Sequence, residues 1–287
     1  MKREDIRIRD PYILVKDGIY YMYRSESVPE NKFIWVLKSR DLEEWSEPEV
    51  VYTLSEDSWG CADLWAPEVH FYNGKYYMFL SLLGKNGMRG TEISVSDTPD
   101  GTFVPITNRP ATPIDRSCID ASLYVENDVP YIAYSADWPF NYVEEKGCYV
   151  GSIWAVQMTD DLTENVGEPF CLFYSDEAVN IPDSFEYEGK MITRYGSDAP
   201  FVQRLKDGKL LLTWSPMPDG NYVVLGAVSD SIRGKWEHLK KPIFDKNGGH
   251  AMFFDGICGK RYMGIHCPEK MPFERAMFIE FKEDELQ

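Results

Sequence analysis

A turn followed by a short aromatic or apolar strand recurs five times along this 287-residue chain: DGIYYMYRS (17–25), NGKYYMFLS (73–81), NDVPYIAYS (127–135), DGKLLLTWS (207–215) and CGKRYMGIH (258–266). With Tyr21, Tyr77, Tyr131, Leu211 and Tyr262 as equivalent anchors, the spacings are 56, 54, 80 and 51 residues, so five similar units fill the chain with one insertion between 135 and 211. A second signature trails the first four anchors: SRDLEEW (39–45), SDTPDGTF (96–103), TDDLTENVGEP (159–169) and SDSIRGKW (229–236). A fixed period of this length marks propellers and solenoids. Each unit reads as three or four antiparallel strands with Gly/Asp turns, and no segment carries a sustained helical stripe. The expected fold is all-β, a single five-bladed β-propeller over residues 1–287. A two-sheet sandwich would not produce such even spacing. The fifth unit lacks the trailing signature, and IRIRD (6–10) is expected to supply a strand to it and protect both edges.

Composition agrees with this reading and limits the partners. Aromatic residues make up 14% of the chain, suited to half-buried strands and to surfaces on which sugars stack. The net charge of −17 repels nucleic acid and anionic membranes, and a neutral sugar fits better than a polyanion. Six cysteines (61, 118, 148, 171, 258 and 267) have no CxxC spacing and read as buried free thiols. The start, MKREDIRIRDPYILVKDG, has no apolar signal core, and no window reaches a membrane span. The expectation is a cytoplasmic protein, or a secreted one if a leader has been removed. Oligomeric state is left open.

Equivalent blades surround an axis, so the start of each inner strand is found by stepping back from its anchor. This yields Asp10 in RDPYI, Glu68 in WAPEV, Asp120 in CIDASLYV, Asp198 in GSDAPFV and His250 in NGGHAMFF. Four carboxylates and an imidazole converging on one axis are mutually destabilising, which points to function. A lone Asp before a strand is usually a turn or cap residue; the fivefold coincidence weakens that reading. Glu68 reads equally well as a partner of neighbouring backbone. For His250 a core histidine, a substrate contact and an indirect ligand of an axial ion all stay open. The second strands return to the same face and add Glu26, Asp137 with Trp138, Met217 and His266, which together make an acidic, aromatic-walled pocket.

These residues resemble the family 43 glycoside hydrolases over about 6–281. The resemblance implies that Asp10 is the general base, that Asp120 orients the acid and tunes its pKa, and that Trp65 in LWAPEV lines the pocket. GGH (248–250) matches the family's last-blade histidine motif, and Arg275 in ERAMFIEF (274–281) matches an arginine that reaches the sugar. The family's acid is usually Glu in an E-G-P segment. Here the matching stretch is Ser197-Asp198-Ala199-Pro200-Phe201, so Asp198 takes its place with a side chain one methylene shorter. Glu186 and Glu188 in FEYEGK are the substitutes. Inversion needs the base and acid carboxyls roughly 6.5–9.5 Å apart, and Asp10, Asp120 and Asp198 are expected to share one axial pocket. No cofactor is required; a structural calcium ion near His250 is the metal that the resemblance allows.

The function implied is inverting hydrolysis of arabinose- or xylose-containing plant polysaccharides or oligosaccharides, by an exo-acting α-L-arabinofuranosidase or β-xylosidase. An endo-arabinanase or galactosidase of the same fold, and a non-catalytic sugar-binding propeller, are the alternatives.

Overall fold

The computed structural model describes residues 1–286 apart from 27, 29, 138–140, 179–181 and 188. Strands dominate, and the helical pieces among the described residues are three-residue 3-10 turns. The first sheet holds β1 (Tyr12–Lys16), β2 (Ile19–Arg24), β3 (Phe33–Ser39) and β4 (Glu49–Thr53) in chain order. The second repeats that order with β5 (Gly60–Tyr72), β6 (Lys75–Gly84), β7 (Arg89–Ser96) and β8 (Val104–Pro105). The third is built from β9 (Cys118–Glu126), β10 (Val129–Ala136), β13 (Ser152–Met158) and β14 (Asn165–Tyr174). The fourth holds β17 (Asp198–Arg204), β18 (Leu210–Ser215), β19 (Leu225–Ser229) and β20 (Glu237–His238), and the fifth β21 (Gly249–Asp255), β22 (Arg261–Cys267) and β23 (Arg275–Glu280).

Every anchor of the repeat lies on the second strand of its sheet. The insertion accounts for a sixth sheet: β11 (Tyr142–Val143), β12 (Cys148–Val150), β15 (Asp183–Tyr187) and β16 (Lys190–Tyr195), with β12 and β16 parallel. Five sheets built alike, each holding one repeat, give the chain the fold class of a five-bladed β-propeller.

The two signatures have local causes. Three of the first-to-second-strand hairpins close with two residues, Asp17-Gly18, Asn73-Gly74 and Asn127-Asp128, all at positive φ. That is the type I′ turn, whose twist matches the strands it joins. The trailing signature is the turn from third to fourth strand. In the first sheet Asp41 Oδ1 accepts the N–H groups of Glu43 and Glu44 at 2.9 and 2.8 Å, and in the third Asp161 Oδ1 accepts that of Thr163 at 3.1 Å. The backbone bonds hold the Asp41 carboxyl below the usual range, and hydrogen bonds from the Thr159 and Thr163 hydroxyls, with the Thr163 N–H, do the same for Asp161.

Two compact units are distinguished, residues 1–115 with 251–282, and residues 116–250 with 283–287. In the first, the inner strands β1 and β5 meet through Tyr12 and His70, ring centroids 5.3 Å apart. The N-terminal segment does reach the fifth sheet, but more sparely than expected: Ile8 N–H donates to the Glu274 carbonyl at 3.2 Å and one antiparallel bridge joins Arg7 to Arg275. In the second unit a core of Tyr131, Ile153, Phe173, Leu212, Trp214 and Ile232 packs the third sheet on the fourth.

The cysteines correct the sequence reading. None is paired among the described residues, yet only Cys118 and Cys148 are buried; Cys61 and Cys258 are exposed.

Candidate active site

Each repeat carries a non-glycine residue in the left-handed region in or just before its inner strand: Asp10 (φ 49°), Ala66 (48°, with Asp63 at 56° in the same strand), Asp120 (55°), Ala199 (57°) and His250 (58°). These lie 11, 11, 11, 12 and 12 residues before the anchors. They, rather than the charged residues as such, are the equivalent positions. The pairing register slips beside the second, third and fourth of them. A bulge with a left-handed residue bends the strand and re-aims its side chain, and such strain collects at functional sites. The alignment is thereby corrected in two places. Glu68 lies two residues beyond its blade's position, and Asp198 one residue before.

Left-handed backbone costs a residue with a Cβ roughly 1–2 kcal/mol. Ala66→Gly is therefore expected to leave the melting temperature level or slightly raised, since strain relief offsets the roughly 0.4–1 kcal/mol of extra unfolded-chain freedom. Ala66→Val, a β-branched residue at a buried site, is expected to lose about 2–4 kcal/mol by denaturant unfolding.

In the first unit Asp10 meets His266, which has no exposed surface. Asp10 Oδ1 and the Asp10 backbone N–H each lie 3.2 Å from His266 Nδ1. The other ring nitrogen, Nε2, is 2.5 Å from Glu269 Oε2, and Arg9 pairs with Glu269 at 2.6 Å. Burial opposes a charge on His266, but hydrogen bonds to Asp10 and Glu269 outweigh it and raise its pKa. Burial raises the Glu269 pKa, yet His266 and Arg9 carry it below its ordinary value. Nδ1 accepts the Asp10 N–H and Nε2 faces Glu269, which fixes the ring beside the Asp10 carboxylate.

A pKa raised by folding contributes stability that is complete below the unfolded value, about 6.5, and is lost as pH rises through the folded value. The melting temperature is thus expected to fall with pH on the alkaline side of 6.5, and to fall less in His266→Gln. Parallel pH profiles would rule out this coupling.

Glu68 is engaged elsewhere. It is 6% exposed, and its Oε2 lies 2.9 Å from His70 Nε2, while His70 Nδ1 is 3.4 Å from the Tyr12 hydroxyl. Burial and then the Glu68 charge raise the Tyr12 pKa well above its ordinary value, so the phenol stays protonated as donor and His70 passes its Nε2–H to Glu68. The partner is a histidine rather than backbone. Trp65 is half-buried, with the Arg89 guanidinium 4.2 Å from its ring centroid and paired with Asp63 at 2.6 Å. Arg275 donates to the carbonyls of Glu4, Pro272 and Glu274 at 2.7, 3.2 and 2.9 Å, which fastens the N-terminal segment. Glu26 is exposed and accepts from Arg24 at 3.1 Å.

In the second unit three predicted residues come together. Asp120 Oδ2 accepts the N–H of Ala199, the residue after Asp198, at 3.2 Å. Asp198 faces Ser215 across the β17–β18 ladder, and Ser215 Oγ accepts the His250 N–H at 2.8 Å. Asp120 and His250 are both 7% exposed, and Asp198 is half-buried. Asp137 follows β10 and donates its N–H to the Ser117 carbonyl at 3.0 Å. Glu186 is exposed on the β15–β16 hairpin. Trp138 and Glu188 lie outside the described residues.

Among the described residues no group of three or more His, Cys, Asp or Glu is gathered to hold a metal. Calcium also takes backbone carbonyls and waters as ligands, and no step below passes through an ion.

The sequence profile of the glycosyl hydrolases family 43 matches residues 5–284. The chain belongs to that family. An endo-arabinase from Bacteroides thetaiotaomicron of known structure is 33% identical, with a TM-score of 0.88 over 99% of this chain and 98% of that one. A thermostable family 43 glycoside hydrolase superposes with a TM-score of 0.79 at 25% identity, over 98% of this chain and 92% of that one. An extracellular exo-alpha-(1->5)-L-arabinofuranosidase from Streptomyces avermitilis is 25% identical over 86% of this chain and 50% of its own. The chain thus spans about half the length of that curated relative. Glu269 escaped the sequence reading because it follows a strand end with no motif of its own, and its importance lies in a contact with His266.

Proposed function

We propose that this family 43 chain is an inverting glycoside hydrolase acting on arabinose- or xylose-containing polysaccharides or their oligosaccharides. The observation that carries the reading is the Asp120 hydrogen bond to the Ala199 N–H. It ties a buried carboxylate to the segment bearing Asp198, the arrangement needed to orient a proton donor and, by like charge, favour its protonated form.

Asp10 is the base in this reading. It takes a proton from water as the water oxygen bonds to the anomeric carbon, while Asp198 gives a proton to the departing glycosidic oxygen. The ring carbon inverts, and the two carboxyls end with their protons exchanged through solvent. His266 and Glu269 keep the Asp10 carboxylate oriented. The buried position of Asp120 suits it to positioning. Trp65 and Asp137 are assigned to sugar contact in this reading.

An endo-arabinanase is favoured over an exo-acting enzyme by the 33% identical structural relative, which is named an endo-arabinase. Nitrophenyl arabinofuranoside, xyloside and galactoside, with arabino- and xylo-oligosaccharides and linear arabinan beside them, decide the matter. Release of mid-chain fragments marks endo action, and proton NMR of the first product anomer reads inversion. Absence of cleavage on every substrate, with binding retained, would replace this reading by the sugar-binding one.

A further inference from the structure

A cavity of about 260 Å³ in the first unit lies apart from the carboxylates described above. Its apolar walls come from Trp59, Pro110 and Ile114, and its rim from Lys85, Asn86 and Arg89. Ile114 is 67% exposed. The wall is firmly built. Asn108 Oδ1 accepts the Trp59 N–H at 2.8 Å, and Lys85 N–H donates to the Trp59 carbonyl at 3.0 Å. The indole nitrogen is buried on the side of Glu92. The β6–β7 turn comes so near that a Cβ on Gly84 would lie 3.3 Å from the Trp59 ring.

The rim is made of donors. Lys85 Nζ gives one hydrogen to the Glu56 carbonyl, and Asn86 Oδ1 accepts the Met88 N–H, turning the amide nitrogen to be the group a ligand meets. No carboxylate lines the cavity among the described residues, although the chain carries 47 of them. A flat apolar wall beside hydrogen-bond donors suits a ring with hydroxyl acceptors on its edge and C–H groups on its face. Arg89 ties this place to the pocket side, since its guanidinium stacks on Trp65 and pairs with Asp63. Trp59 precedes Trp65 by six residues, at most about 20 Å along an extended strand and less across the bulges of β5.

We infer that Trp59, Asn86 and Ile114 form a distal subsite that holds a sugar residue of a pentose polysaccharide, several units along the chain from the bond that is cut. The inference rests on the hydrolase reading above and extends it to chain-length selection. The test compares wild type, Trp59→Ala and Ile114→Ser on arabino- and xylo-oligosaccharides of two to eight units, and on the polymers. For the pentose that the enzyme cleaves, kcat/KM in the wild type is expected to rise with length. Trp59→Ala should lose about tenfold on the longest chains, equivalent to about 1.4 kcal/mol, and keep its rate on the nitrophenyl glycoside. Ile114 is exposed enough that its replacement leaves folding intact, and it should show the same length-selective loss to a smaller degree. Equal losses at every length in both variants, or none, would overturn the subsite. If the wild type cleaves neither pentose series, the hydrolase reading fails separately. Affinity electrophoresis in arabinan and in xylan then reads the subsite, which is supported if the wild type is retarded and Trp59→Ala is not, and refuted if the two migrate alike.

Discussion

Asp10→Asn is expected to lower kcat by about 10³-fold or more while the protein stays folded and still binds sugar. Removal of a general base costs 10²–10⁴-fold, and Asn keeps the size of the carboxylate. The setting sharpens the expectation. The His266 ring lies between the carboxylates of Asp10 and Glu269, and the introduced amide brings no charge to it. The pH profile of stability should therefore flatten along with the loss of turnover, which a mere disturbance of packing would not produce. Azide, an anionic nucleophile that needs no base, is expected to restore turnover and give the glycosyl azide of inverted configuration. A variant with near wild-type kcat would remove Asp10 from the base role.

Asp198→Ala should separate substrates by their leaving groups. A natural glycoside departs as an alkoxide and needs protonation, so its rate is expected to fall 10²–10⁴-fold. A nitrophenyl glycoside departs as a stable phenolate, and its rate should fall far less. The shorter Asp in the place of the family's usual Glu makes this the decisive comparison. Equal damage to both substrate classes, or damage to neither, would pass the acid role to another carboxyl, and the same comparison on Glu186→Ala and Glu188→Ala would locate it. Asp120→Asn supplies the control: it keeps the hydrogen bond to the Ala199 N–H through its amide oxygen, and a fall in activity there reports the charge rather than the shape.

The repeat was legible because its causes are local. Asp-Gly, Asn-Gly and Asn-Asp pairs close type I′ hairpins, and a side chain such as Asp41 caps the next turn, so both recur wherever a blade is built. The extra sheet occupies the one interval that was too long. What the alternation of residues does not reveal is the sign of φ. The bulge that turns Ala66 left-handed moves Glu68 off the equivalent position, and Glu68 then finds His70 two residues further on. Asp10, Asp120 and His250 coincide with the left-handed positions because in those blades the chemically distinctive residue is itself the left-handed one. Glu269 meets His266, three residues before it, and Arg9 from the far end of the chain, and no motif marks it.

The insertion has a consequence for how enzymes of this kind diversify. β16 ends at Tyr195, three residues before Asp198, and is pinned there: Gly151 N–H and Ser175 Oγ both donate to the Tyr195 carbonyl, at 2.8 and 2.9 Å. A Cβ on Gly151 would come within 2.3 Å of the Ser197 hydroxyl, so the fit leaves no slack. In the proposed reading the proton donor thus follows directly on the inserted sheet, whereas the base precedes β1 of a repeat without insertion. Changes of length or sequence within the insertion would adjust the donor's reach without disturbing the water-activating side. In a lineage this is where new linkage preferences would accumulate first, and in the laboratory it is the segment to randomise when a different leaving group is wanted.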